Sequence, residues 1–197
     1  MIRLYWCPQT RAARALWLLE ELGQPFEVAQ IDIRDEASRS DPDFRKASPM
    51  GKVPAISDGE VHLSDSAAIA LYLADRYPEA GLAPAVDSHL RGQYLYWMVF
   101  TPGVIEPSMA ERFGGWEPKP AQHGWGSFDA MIETLTSGLE TGPWLLGEKF
   151  SAADVIVGSS VNFLKMFGIL PDSEILGAYV DRCLARPAYQ RAMAREV

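Results

Sequence analysis

Apolar and polar residues follow two different rhythms along this chain, and the change between them divides it. Ile2 to Trp6 is a short apolar and aromatic run that reads as a buried strand, stopped by Pro8. Ala12, Ala15, Leu16, Leu19 and Leu22 then recur at helical spacing with Gly23 as the stop, so a helix is predicted over Thr10 to Leu22. Phe26 to Ile33, rich in β-branched and aromatic residues, predicts a second strand, and the order strand–helix–strand predicts a parallel pair. Arg34 to Gly51 is polar, carries Pro42 and Pro49, and reads as a loop with room for one helical turn. Val53 to Ser57 and Val61 to Ser64 flank Asp58-Gly59, a strong hairpin signal. Asp65 and Ser66 open another helix, with Ile69, Tyr72 and Leu73 on one face, that stops before Pro78.

Beyond the Pro- and Gly-bearing stretch 79–87, no strand pattern is left. Ser88 to Ala110 is helical, kinked or split by Pro102. Arg112 to Gly126, rich in Gly, Pro and Trp, predicts a loop, and Ser127 to Leu139 a helix. Ser151 and Asp154 form a capping box, with Phe150 and Val155 as its hydrophobic staple, at the head of a buried helix running to Phe167. Shorter helices follow over Asp172 to Ala185 and Pro187 to Arg195. The predicted architecture is an α/β domain over 1–78, a linker over 79–87 and an all-helical domain over 88–197.

Composition narrows the class. A chain of 197 residues, 48% hydrophobic and 22% charged, buries about 70% of its unfolded surface without needing disulfides or metals. Cys7 and Cys183 make no disulfide framework, and His62, His89 and His123 show no metal-ligand spacing. Eighteen basic against 26 acidic side chains, a formal charge of −8, disfavour nucleic acid and an anionic membrane surface. The longest apolar stretch, Ala67 to Ala74, is too short to span a bilayer, and Met1 to Trp6 lacks the features of a signal peptide. The expectation is a cytoplasmic protein in a reducing compartment.

Three constellations carry candidate chemistry. Cys7-Pro8-Gln9-Thr10 lies between a strand and a helix, where free N–H groups and the helix dipole stabilise a thiolate. That thiol is Cys7 itself or belongs to a bound substrate, in which case Thr10 offers it a hydroxyl; equally, Thr10 is an N-cap and Cys7 a small core residue. Lys52-Val53-Pro54 puts a proline at the start of a strand, which suits a functional turn with a cis peptide and a Val53 backbone ready to pair with a peptide-like ligand, or else an edge strand. Asp65-Ser66 heads a helix able to hold a carboxylate, with Asp65 beside an ammonium, or simply caps it.

Taken together and in this order, the residues resemble the glutathione transferase family. Ser48-Pro49-Met50-Gly51-Lys52-Val53-Pro54-Ala55-Ile56 looks like its cis-proline segment, Asp65-Ser66 falls where the family usually has Glu/Gln-Ser, and Phe150 to Val155 resembles the capping motif of its helical domain. Arg11 to Gly23 is similar to the first helix of many bacterial members. The resemblance implies a thioredoxin-like N-terminal domain joined to an all-α C-terminal domain, and a homodimer that takes glutathione as co-substrate, uses no metal, and serves detoxification by conjugating the thiolate to small apolar electrophiles. The alternatives are a thiol–disulfide oxidoreductase using Cys7, and a non-catalytic glutathione-binding module. By the resemblance, Val53 pairs with the cysteinyl part of glutathione, Pro54 is cis, Asp65 and Ser66 hold the γ-glutamyl end, and Lys52 approaches the glycyl carboxylate. Counting back from Gly23 places Thr10 where serine-type members carry the activating hydroxyl, while Cys7 stands where a redox motif has its nucleophile. Tyr5 looks like the strand tyrosine of some classes or is core. Arg11 and Arg14 aid anion binding or are solvated or paired arginines of the helix surface, and Phe100, Met109, Phe113 and Trp116 line a second-substrate pocket or the core.

Overall fold

In the computed structural model, which describes residues 1–195, the first rhythm builds four strands: β1 (Ile2–Trp6), β2 (Phe26–Gln30), β3 (Ala55–Asp58) and β4 (Val61–Ser64). They form one sheet in the order β2-β1-β3-β4, with β1 parallel to β2 and the other neighbours antiparallel. Helices α1 (Ala12–Leu22) and α4 (Ser66–Arg76) pack on each other, and Gly23 closes α1 in the left-handed conformation. The second strand ends earlier than its composition predicts. After the Ile31 N–H donates to the Trp6 carbonyl at 2.8 Å, Ile31 and Ile33 turn into a cluster with Tyr5, Phe44 and Ala55.

The polar stretch 34–51 folds into two short helices, α2 (Glu36–Arg39) and α3 (Pro42–Ala47), rather than one turn in a loop. Asp35 accepts from the Ser38 N–H at 2.9 Å and Asp41 from the Phe44 N–H at 2.8 Å. Pro42 sits in the first turn of α3, where its missing N–H has no partner to lose; it starts the helix rather than breaking it.

The second rhythm builds α5 (Arg91–Phe100), α6 (Glu106–Gly114), α7 (Phe128–Gly138), α8 (Ala152–Met166), α9 (Glu174–Leu184) and α10 (Pro187–Ala194). At Pro102 the predicted helix divides into α5 and α6. A π-helical stretch over Thr101–Ile105 absorbs the proline and joins α5 to α6. The chain divides into two compact units, one formed by 1–80 with 186–195, the other by 81–185. The final helix therefore groups with the strands, not with the helical domain predicted over 88–197. A 3-10 turn over Pro78–Ala80 runs into the stretch read as a linker, 79–87, within which Leu82 is buried, its carbonyl accepting from Ala152 at the head of α8.

Helix α8 is the buried axis of the helical unit. The Ser151–Asp154 capping box is present, and the fully buried Asp154 carboxylate also accepts from Leu145 N–H at 3.0 Å and Tyr179 O–H at 3.1 Å. Gly158 lets α9 approach: a Cβ there would lie 2.6 Å from Cys183 Sγ and 3.6 Å from Tyr179 Oη. Gly158→Ala is expected to destabilise by about 1–3 kcal/mol through overpacking, despite alanine's better helix propensity. A urea titration checks this, and an unchanged midpoint would mean that α9 yields without cost.

Candidate functional site

Strand register decides where the three sequence constellations fall. Tyr5 of β1 stands opposite Ala55 of β3, and Ala55 stands opposite Ser64 of β4. The C-terminal end of β1, the N-terminal end of β3 and the C-terminal end of β4 thus share one edge of the sheet. Cys7 to Thr10, Val53-Pro54 and Asp65-Ser66 are the residues immediately beyond those three ends.

Between β1 and α1 the chain turns through Pro8 to Arg11, with Gln9 in the left-handed region at φ 57°. The half-buried Thr10 hydroxyl donates to the Cys7 carbonyl at 2.7 Å and accepts from the Ala12 N–H at 3.2 Å. Thr10 thus holds the first N–H of α1, whose N-cap position is Arg11, and the helix begins two residues later than predicted. The Thr10 oxygen is fixed by the Ala12 N–H, but its proton can swing from the Cys7 carbonyl to another acceptor. A thiolate would replace a neutral hydrogen bond with a charge-assisted one, which is roughly twice as strong. The Cys7 side chain is buried, and Cys7 and Thr10 line a cavity of about 370 Å³ with Pro8, Gln9, Gln30 and Arg34.

The segment before β3 is held by a residue to which the sequence reading gave no role. Ser48 Oγ accepts from the Lys52 N–H at 2.9 Å and donates to the Lys52 carbonyl at 2.7 Å, fixing the peptide groups on both sides of Lys52. Gly51 has φ 63°, a conformation that strains any other residue; a Cβ there would meet only the mobile tip of Arg45, Nη1, at 2.6 Å. The Val53–Pro54 peptide is cis. Val53 lies outside the β1–β3 and β3–β4 registers, which begin at Ala55, and the Lys52 side chain is exposed.

At the third end, Asp65 is in the left-handed region at φ 77°. Its Oδ1 accepts from the Ala67 N–H at 2.9 Å and the Ala68 N–H at 3.4 Å, so it caps α4, and Ser66 is the half-buried first residue of that helix. A left-handed non-glycine residue costs of order 1–3 kcal/mol and persists where its surroundings dictate it, often at ligand clamps.

The other candidates separate. Tyr5 is core: its ring packs 5.5 Å from Phe44 and its hydroxyl receives Ser57 Oγ–H at 3.4 Å. Arg11 is exposed, but Arg14 is fully buried, against the expectation of a surface arginine. Phe100 and Met109 are buried in the helical unit, whereas Phe113 and Trp116 are 55% and 56% exposed, with Phe113 edge-on to Phe167. Cys183 is buried. Among the described residues, no group of three or more His, Cys, Asp or Glu could hold a metal ion, and no helix is long and apolar enough to cross a membrane.

Comparison with known proteins follows the same division of the chain. Residues 6–76 match the family model of the glutathione S-transferase N-terminal domain, and residues 80–185 that of the glutathione S-transferase C-terminal domain. The chain is 29% identical over 175 residues to the disulfide-bond oxidoreductase YfcG of Escherichia coli K12, covering 82% of this chain and 80% of that one. A glutathione transferase structure from Methylococcus capsulatus superposes with a TM-score of 0.79 at 29% identity, covering 98% of this chain and 97% of that one. A sphingomonad glutathione S-transferase complexed with glutathione superposes with a TM-score of 0.78 at 28% identity, covering 97% and 96%.

Proposed function

Because the chain belongs to the glutathione S-transferase family, we propose that it binds glutathione beyond one edge of its sheet and transfers the glutathione thiolate to a small, apolar electrophile. The observation that supports this reading is the Tyr5–Ala55–Ser64 register, which brings the ends of three strands to one edge. In the proposed complex the Val53 backbone pairs with the cysteinyl part of the tripeptide next to Pro54. Ser66 and the free N–H groups at the head of α4 receive the γ-glutamyl carboxylate, Asp65 faces the ammonium, and Lys52 faces the glycyl carboxylate. The glutathione thiol gives its proton to bulk water, and Thr10 turns its hydroxyl proton from the Cys7 carbonyl to the bound sulfur and stabilises the thiolate. The sulfur lone pair then forms a bond to the electrophilic carbon, and the leaving group departs with its own electron pair. The protein acts in the cytoplasm as a homodimer, and the reaction serves detoxification.

A second reading rests on Cys7. Its thiol borders the same cavity as Thr10. There its thiolate attacks a disulfide sulfur, forms a mixed disulfide with glutathione and expels the other half as thiolate. The E. coli relative named as a disulfide-bond oxidoreductase lends this weight.

Ser66→Ala is expected to weaken glutathione binding about ten- to a hundredfold, the worth of one hydrogen bond to a charged carboxylate. Asp65→Ala should weaken glutathione more than an analogue lacking the γ-glutamyl ammonium. Calorimetry that finds both variants binding like the wild type would remove the binding assignment.

A further inference from the structure

Helix α1 is buried on more than one side: eight of its eleven residues are buried, Trp17 and Leu18 among them. A helix lying on a single sheet face buries one stripe. Part of the extra cover comes from α10, which returns to the first unit after the whole helical unit has been traversed. Tyr189 meets Trp17 edge to face at 5.2 Å. Glu21, with only 7% of its side chain exposed, accepts from Trp17 Nε1 at 2.8 Å and takes a two-pronged bond from Arg186. Glu20 accepts from Arg191 at 3.0 Å and Arg195 at 2.7 Å, and the Arg195 guanidinium covers Phe26.

The opposite end of α1 is the turn with the left-handed Gln9. A non-glycine residue there is disfavoured roughly five- to thirtyfold against its right-handed alternatives. It persists only if both flanks of the turn are fixed. One flank is β1, which pairs with strands on both sides. The other is α1 itself.

We propose that Glu21, gripped by Arg186 and Trp17, is a positioning residue: the returning C-terminal helix clamps α1 and so keeps the Pro8–Arg11 turn in the conformation that presents Thr10 and Cys7. The link to chemistry rests on the glutathione reading; the link between clamp and turn does not. The arginines on Glu20 are more exposed, at 57% and 38%, and so more screened by salt than Arg186 of the Glu21 fork, at 27%.

The test is a double-mutant cycle in the full chain between Glu21→Gln and Gln9→Gly, whose sites lie at opposite ends of α1. Hydrogen–deuterium exchange without any ligand reads segment 8–14. Glu21→Gln should speed exchange there roughly fivefold or more. Adding Gln9→Gly should return it toward the wild-type rate, because glycine takes a positive φ at no steric cost. Arg186→Lys, which keeps the charge and loses the fork, should give a smaller change of the same sign and serves if Glu21→Gln folds poorly. With glutathione, kcat should fall and the bound thiol should titrate higher, while KM stays within about twofold, since Val53, Asp65 and Ser66 lie outside α1. Faster exchange confined to 17–24 and 186–195, or strictly additive effects of the two substitutions, would overturn the inference. Failure of the wild type to bind glutathione would overturn the functional reading instead, and the exchange data would still decide the clamp.

Discussion

Asp154→Ala is expected to lower the unfolding free energy by about 3–5 kcal/mol, a large part of what a small protein possesses. The carboxylate is fully buried and accepts from four donors: the N–H groups of Leu145 and Ser151 and the hydroxyls of Ser151 and Tyr179. Truncation strands all four, and the two backbone groups cannot turn away; each stranded donor costs roughly 1–3 kcal/mol. Burial also holds the Tyr179 hydroxyl protonated well above the ordinary tyrosine range, so it remains a donor at any working pH. The same site predicts a pH dependence. Burial pushes the Asp154 carboxyl up to about 6 from 3.8, outweighing the four donors, which pull it down. A carboxyl raised in the folded state favours the protonated native form. Its contribution is complete below about pH 4, the unfolded value, and is lost as pH rises through about 6. The wild type should therefore gain stability, by a few kcal/mol at most, between ~pH 7.5 and ~pH 5 from this group. The one proton a neutral Asp154 carboxyl carries can be accepted by the Ser151 hydroxyl, which can reverse, whereas backbone N–H groups cannot. Asp154→Asn should remove that slope. Urea titrations at the two pH values test both statements, and a slope that survives in Asp154→Asn would assign it to other groups.

Thr10→Val should cut conjugation of a generic haloarene with glutathione at neutral pH more than tenfold and move the pH–rate midpoint from about 7 toward about 8.5, the value of a free thiol. Valine keeps the branched shape and removes the only side-chain proton Thr10 can give to sulfur. It also removes the acceptor for the Ala12 N–H, so about 1 kcal/mol of stability should go with it. Measuring the unfolding midpoint alongside the rate separates the two losses. Cys7→Ser should leave conjugation almost unchanged and abolish any exchange with oxidised glutathione. The opposite pattern, a normal pH profile in Thr10→Val with activity lost in Cys7→Ser and a mixed disulfide on Cys7 by mass spectrometry, would hand the chemistry to the cysteine.

Much of the fold was legible because it is written in local signals. The strand pattern of Ile2 to Trp6, the Asp58-Gly59 hairpin and the Ser151–Asp154 box each need only a few neighbouring residues, and each appears in the structure. Legibility failed where meaning depended on a distant partner. Asp41-Pro42 is a helix start, yet a proline in a polar stretch also reads as a breaker. Pro187 to Ala194 has an ordinary helical pattern, and nothing within it says that its partner is α1, some 170 residues earlier in the chain. The motifs of the candidate site were visible as residue types, but their convergence depends on register, which no single segment encodes. Ser48 carries no signal of its role, because a serine that ties the backbone N–H and carbonyl of a residue four positions on looks like any loop serine.

The return of the chain to its first unit sets a timetable for synthesis. At the usual ribosomal pace of about 5–20 residues per second, residues 81–185 occupy roughly 5–20 s between the last strand-unit residue and Arg186. Throughout that interval the nascent sheet is already chemically complete from Met1 to Ala80, but Trp17 and Glu21 still await Tyr189 and Arg186. The half of the protein made first is thus the half finished last.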